Sequence, residues 1–415
     1  MKQRLLFALL VPFLVISGIA SAQELGEEFS EEILPEAPYQ FPEIAPEVQV
    51  FGGYRNAGVT GSSRADEYEY LHDSLVLGGE MRMFSFPHRA FLDLDVRNVK
   101  DYFGDFGYAY KDIVLFRGIN RTIFHNLDNI TLIDFDPTTP YPGVEVTDPG
   151  ENYGVKFSLS TLFLRLKMPD FPLHVYLDGS LVNQKGTEQL LSLLWGGFSF
   201  DVVRVSRARD IDLQTRNLAI GANSHLGPVE VDFSHGEMRF DVRSPQVLFD
   251  TGFIPGFPNP VTVPHNLIPE LTGSSNTLKI HTSYTGGLVV SATLSKVVRE
   301  NTFSSAKNDT FIGTGDITWM PMPRLTFFLK YRHREIDNDT PATITTADVF
   351  DPSQTVTYKV KPPLSSVSDN VSGVVRYRPL SGVTLKGEYT YENIRRENAE
   401  AWNLPGSTSR NIASL

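Results

Sequence analysis

From residue 47 onward, apolar and polar side chains alternate with a period of two. That is the signature of strands with two unlike faces. Arg324 to Glu335 shows it most clearly. Leu325, Phe327, Leu329 and Tyr331 fall on one face, and Thr326, Phe328, Lys330, Arg332 and Arg334 on the other. One face wants an apolar solvent, and the other is mostly cationic. Residues 311–319 precede it, with Phe311, Ile317 and Trp319 on one side and Thr314, Asp316 and Thr318 on the other. Met320-Pro321-Met322-Pro323 joins the two as a tight turn, since proline fixes φ and withdraws ladder donors.

The same unit recurs. Residues 370–378 and 383–395 flank a turn at 379–382, 277–284 and 288–299 flank 285–287, and 216–225 and 229–240 flank 226–228. Residues 153–167 and 173–183 flank 168–172, and 74–84 and 90–100 flank 85–89. The pattern therefore predicts six hairpins and 12 strands, with 48–56 and 198–206 as weaker additions. Turns within hairpins span three to five residues, whereas the segments 101–152, 241–276 and 336–369 read as long polar loops. Short turns on one rim and long loops on the other, joining strands of about 9–12 residues, predict an all-β fold, a transmembrane antiparallel β-barrel of 12–14 or more strands with periplasmic turns and extracellular loops. A soluble β-sandwich is the rival, but its strands usually run to about five or six residues.

Two places depart from the period. In 153–167, Val155, Phe157 and Leu159 are out of phase with Leu162, Leu164 and Leu166, which predicts a β-bulge near Ser160-Thr161. Residues 108–130 and 188–195 have mixed periodicity and read as short helices or loops.

The start of the chain changes the setting. Lys2 and Arg4 precede a 12-residue apolar run, Leu5 to Ile16, and Ala20-Ser21-Ala22 supplies a small-residue cleavage site. That is a secretory signal over 1–22. Residues 23–50 carry eight glutamates, four prolines and no lysine or arginine, so 23–47 reads as an acidic solvated periplasmic segment and 48–415 as the barrel. The formal net charge of −12 over 415 residues argues against a nucleic-acid partner. No cysteine is present, which removes disulfides, thiolate-bound zinc and covalent c-type haem, and no cofactor is expected. Together these readings place the protein in the outer membrane of a Gram-negative bacterium, with membrane lipid as its first partner.

Candidate chemistry is sparse. Asp93, Asp95, Arg97, Glu230, Asp232, Lys330, Arg332, Arg334, Arg376, Arg378 and Lys386 sit opposite apolar positions and are assigned to the lumen. Charges line any wet lumen, and a patterned set can also select solutes or grip a threaded protein. His225 and His235 flank one turn, and Asp134-Phe135-Asp136 and Asp337-Asn338-Asp339 read as acidic loop clusters. No phosphate loop, nucleophile elbow or dinucleotide fingerprint occurs, so no enzyme is expected. Tyr68, Tyr70, Tyr331, Tyr389, Tyr391 and Trp319 read as an interfacial aromatic girdle.

Several strings carry a family resemblance. They are Lys100-Asp101-Tyr102-Phe103-Gly104 with Tyr108-Ala109-Tyr110-Lys111-Asp112, Phe124-His125-Asn126-Leu127-Asp128, Arg209-Asp210-Ile211-Asp212, and the run from Gly221 to Val231. Over roughly residues 50–400 the chain resembles the barrel of porin–cytochrome conduits, the decahaem-associated outer-membrane protein family of MtrB/PioB type. The resemblance implies a barrel that sheathes a multihaem c-type cytochrome, with periplasmic and cell-surface cytochromes as partners in extracellular electron transfer. A chain with no cysteine would leave the haems to those partners. A diffusion porin or substrate-specific channel is the alternative. Family barrels are much larger than 12–14 strands, and the polar end, Gly406 to Leu415, lacks a terminal aromatic residue. An incomplete barrel is therefore expected.

Overall fold

The computed structural model describes residues 44–56, 58, 72–127, 144–146, 153–196, 201–252, 261–282, 287–348 and 354–415. The signal and most of the acidic segment lie outside these residues, as do Asp134, Asp136, Tyr68 and Tyr70. The chain is a succession of strands. They are β1 (Ile44–Arg55), β2 (Ser74–Ser85), β3 (His88–Val96), β4 (Tyr102–Tyr110), β5 (Val114–Leu127), β6 (Val144–Val146), β7 (Tyr153–Lys167), β8 (Leu173–Gly196), β9 (Asp201–Leu226) and β10 (Val229–Val242). There follow β11 (Leu248–Gly252), β12 (Val261–His265), β13 (Leu271–Thr282), β14 (Leu288–Asn301), β15 (Lys307–Met322), β16 (Leu325–Asp339), β17 (Thr343–Ala347), β18 (Thr355–Lys359), β19 (Ser365–Leu380), β20 (Val383–Glu397) and β21 (Ser407–Ser414).

Seventeen strands form one sheet. β6 joins it through a parallel pairing with β9; the other sixteen run antiparallel, each beside its predecessor in the chain. β11–β12 and β17–β18 are separate two-stranded hairpins inserted between main strands. β1 and β21 are the terminal strands of the meander, and no pairing joins them among the described ladders.

All six predicted hairpins are present, and the turn segments of five fall between their paired strands on one rim. The sixth, 285–287, lies mostly outside the described residues, but Met320 donates its backbone N–H to the Gly287 carbonyl beside it. The turn between β4 and β5 joins the same rim, because His88 pairs with Tyr110. On the opposite rim, 241–276 and 336–369 each carry an inserted hairpin between main strands.

Three expectations fail. Residues 101–152 are not one loop, for β4 and β5 occupy much of that stretch. The mixed periodicity of 108–130 belongs mostly to β5, where Val114, Phe116 and Phe124 lie on one face and Leu115, Ile119 and Ile123 on the other. Residues 188–195 are strand as well, the far end of the 24-residue β8. Finally, β7 has no bulge: its pairing with β5 runs unbroken from Tyr153↔Leu127 to Leu166↔Val114.

The β7 register explains its change of phase. Leu162, Leu164 and Leu166 share a face with Leu177, Ile220, Phe233, Leu278 and Leu294: Leu164 pairs with Leu177 and Leu177 with Ile220, Phe233 pairs with Leu278 and Leu278 with Leu294, and Ile220 and Phe233 lie on the same face of the β9–β10 ladder. Many of these large side chains are exposed, among them Leu162, Leu218, Ile220, Phe233, Ile317 and Leu329. They form a band beside the short-turn rim that the protein itself does not cover. Farther up the same face the residues turn polar. Thr122 and Ser158 hydroxyls lie 2.9 Å apart, and Asn120 donates to Ser160 at 2.7 Å. Beyond these come the ion pairs Lys185–Asp212 (3.4 Å) and Lys296–Asp309 (2.9 Å). The phase change in β7 is where the strand leaves the apolar band.

The band has a measurable height. Leu325, Phe327, Leu329 and Tyr331 are successive positions on this face. At about 3.3 Å per residue and a tilt of about 40°, they climb about 15 Å. Trp319 stacks on Phe327 at the turn side, ring centroids 5.3 Å apart, while Tyr331, Tyr389 and Tyr391 lie farther up on the same face. An apolar band with aromatic residues at its edges and charge above is the outer surface of an outer-membrane β-barrel, and strands can cross lipid only in such a fold.

On the other face, aromatic rings lie over glycines of the neighbouring strand. A Cβ placed on Gly78, Gly107 or Gly221 would sit about 2 Å from the rings of Phe51, Phe91 and Tyr176. Each glycine is paired directly with its aromatic. Ring over glycine lets a twisted sheet keep close strand contact with a large side chain between.

Candidate functional site

At the heights of the apolar band, it is the second face of the sheet that carries charge. Its continuity follows from register alone. The row His225↔Glu230↔His281↔Ser291↔Asp316↔Lys330↔Ser372↔Thr390 crosses eight strands without leaving one face. Nine of the eleven residues assigned to a lumen lie within ladders on this face: Asp93, Asp95, Glu230, Asp232, Lys330, Arg332, Arg334, Arg376 and Lys386. Arg97 lies just past β3, and Arg378 beside the irregular end of the β19–β20 pairing.

These residues form three groups. On β2 to β5, Arg82 holds Asp93 at 2.7 Å, and Arg117 grips the buried Asp105 with two bonds of 3.1 and 2.8 Å. Both guanidinium groups stand over the Phe91 ring, at 5.6 and 6.0 Å from its centroid. Asp95 is taken by Arg97 at 3.0 Å. Here the acids predicted from sequence are already partnered.

The second group lies on β8 to β13, close to the short-turn rim. Tyr176 donates its hydroxyl to Asp232 at 3.0 Å. Glu230 accepts a bond from Asn223 at 2.6 Å, and one of its oxygens lies 3.3 Å from His225 Nδ1 and 3.1 Å from His281 Nε2. The His174 ring meets the His225 ring edge-on at 5.4 Å. His235 sits on the apolar-band face, paired with Ile220, so His225 and His235 point to opposite sides of the sheet. No group of three metal-ligating side chains with usable spacing occurs among the described residues.

The third group, on β15 to β20, is cationic. Lys330 stands 3.6 Å from Asp316, and Lys386 binds Glu388 at 2.7 Å. Arg376 lies over the Phe328 ring at 5.8 Å. Arg332, Arg334, Arg376 and Arg378 make no ion pair among the described residues. Asp337-Asn338-Asp339 is no loop cluster: it continues β16, and Asn308 donates to Asn338 at 2.7 Å.

Sequence reading missed Arg82, Asp105, Arg117, Tyr176 and His281 as members of these groups. Arg82 was visible in the alternation Glu80, Arg82 against Met81, Met83. Asp105 and Arg117 sit in the stretch whose period aromatic and glycine residues obscure.

No protein-family model matches the chain, and no curated protein matches it. Among solved structures, the siderophore receptor PirA from Acinetobacter baumannii is similar at 10% identity and a TM-score of 0.43, over 89% of this chain and 54% of that one. The outer-membrane protein OmpT of Vibrio cholerae is similar at 9% identity and a TM-score of 0.30, over 81% and 99%. The anion-selective porin from Comamonas acidovorans is similar at 10% identity and a TM-score of 0.28, over 85% and 100%. Superpositions this loose leave the assignment to the chain's own strands and faces, which are those of an outer-membrane β-barrel.

Proposed function

We propose that this protein is an outer-membrane channel through which small polar solutes diffuse. The observation that carries the reading is the segregation of the two faces along the main strands from β8 to β20. One face bears an apolar band beside the short turns, and the other bears charged and hydroxyl side chains at the same heights. Lipid excludes such charges, so that face lines water. Sixteen strands is also the size at which a closed barrel leaves an aqueous channel instead of a filled interior.

Nothing on the described residues favours a haem protein over solvent as the occupant of that space, so the sheath implied by the family resemblance is not the reading adopted. A vesicle-swelling assay tests the proposal. Vesicles holding the purified protein are placed in isotonic sugars of increasing size. Swelling that falls with solute size supports a channel. Vesicles that do not swell with any solute, from protein that co-purifies with a haem-staining partner, would reverse the choice.

A further inference from the structure

The channel reading leaves the cations of β16 and β19 unexplained. Lys330, Arg332 and Arg334 succeed one another on one face of β16, about 7 Å apart at strand spacing. Across the register, Arg332 meets Thr314 and Asn370, and Arg334 meets Ile312 and Ser368. None of these neighbours is acidic. The acids nearby are engaged elsewhere, Asp316 with Lys330 and Glu388 with Lys386. Glu392 lies one strand farther on, beyond Asn370. Arg376 pairs directly with Lys386, so another two cations face each other nearer the short-turn rim. Like charges 7 Å apart repel, and the chain as a whole is acidic at −12. The concentration of unpaired guanidinium groups on one wall is therefore a local feature of the fold.

We infer that this wall is a binding ladder for small oxyanions of phosphate or carboxylate chemistry, and that it makes the channel anion-selective. The inference rests on the channel reading and names its substrate class. Guanidinium forks fit such oxyanions with two parallel bonds, which ammonium groups do not offer. Phe328, beneath Arg376 at 5.8 Å, supports one such plane without neutralising it. The serine, threonine and asparagine neighbours supply further hydrogen bonds while adding no competing charge. An anion entering between these strands passes from one guanidinium to the next, bound weakly enough at each to leave.

The test uses the full-length protein refolded in planar bilayers across a KCl gradient. The reversal potential should have the sign of chloride flow, with a preference over potassium of at least about threefold. Millimolar inorganic phosphate should reduce the chloride current. The triple substitution Arg332→Gln, Arg334→Gln, Arg376→Gln should bring the preference close to unity and abolish the phosphate effect. Arg334→Lys, which keeps the charge and loses the fork, should keep chloride preference and weaken the phosphate effect. Heat-modifiable gel mobility establishes that each variant is folded. An open channel with cation preference, or one indifferent to phosphate, overturns the inference and leaves the channel reading standing. Folded protein that never conducts overturns the channel reading instead. Calorimetry of phosphate with that folded protein then decides the ladder by itself. Binding that the triple variant loses supports it, and no binding overturns it. If the triple variant does not fold, Arg334→Lys and wild-type calorimetry carry the test.

Discussion

Leu329 is the position at which the two-face assignment is most exposed to refutation. It lies on the apolar-band face, paired with Ile317 on β15 and Gly373 on β19, and it is 46% exposed. Counting from Leu325 at the turn rim, it stands about 10 Å up a strand tilted by about 40°. The band from Leu325 to Tyr331 climbs about 15 Å, so Leu329 and Phe327 lie about equally near its middle and Leu325 at its edge. Leu329→Arg should therefore cost about 2–4 kcal/mol, whereas the same change at Leu325 should cost about 0–1 kcal/mol. The neighbouring Lys330→Gln tests the other face. Lys330 and Asp316 are 3.6 Å apart with side chains 62% and 45% exposed, so losing that pair should cost under about 1 kcal/mol. The assay is reversible unfolding in urea with lipid vesicles, followed by tryptophan fluorescence and by heat-modifiable mobility. Equal costs at 329 and 330, or a larger cost at 330, would refute the face assignment for β16 and, through the register, for its neighbours.

Further outcomes follow from other parts of the fold. Gly221→Val should displace the Tyr176 ring, which a Cβ would approach to 2.2 Å, and should break its bond to Asp232; urea titration should show a loss of about 1–3 kcal/mol, as overpacking does. At Asp112, in the turn after β4, burial raises the carboxyl pKa, but bonds from Lys167 and Arg165 outweigh that and hold it below the ordinary range. Its contribution is present above the unfolded carboxylate pKa and is lost as pH falls through the lower folded value. Asp112 is largely exposed, so Asp112→Asn should cost at most about 1 kcal/mol at pH 7, and the difference from wild type should vanish in acid. Cysteine at Ser304, between β14 and β15, should react with an impermeant thiol reagent on whole cells, and cysteine at Ser381, in the β19–β20 turn, should not; the reverse pattern would invert the barrel.

Residues 324–335 disclosed their strand, both faces and the turn before them, because Leu325, Phe327, Leu329 and Tyr331 make one face apolar while Lys330, Arg332 and Arg334 make the other mostly cationic. β19 and β20 were legible for the same reason. β4 was not. Tyr102, Gly104, Phe106 and Tyr108 lie on one face and Phe103, Asp105, Gly107 and Ala109 on the other, so no hydrophobic contrast marks the period. The misread of β7 has another cause. A strand that crosses lipid and then continues into water inverts its pattern partway, and a linear reading takes the inversion for a slipped residue. β8 and β9, at 24 and 26 residues, run well past the band, and the pattern there weakens accordingly. The charged site was half legible. Alternation placed the lumen set on one face, but pairings such as Arg117 with Asp105 depend on register, which no single strand encodes. The unpaired state of the β16 arginines likewise shows only when both neighbouring strands are in place.

The most direct test of a water-lined channel is single-channel recording from the purified, refolded protein in a planar bilayer with no other protein present. Discrete conductance steps should grow in proportion to salt concentration and should be reduced when Arg332 or Arg334 is replaced by tryptophan, which would narrow the charged wall. Silent bilayers, from protein that heat-modifiable mobility shows to be folded and inserted, would contradict the water-lined channel.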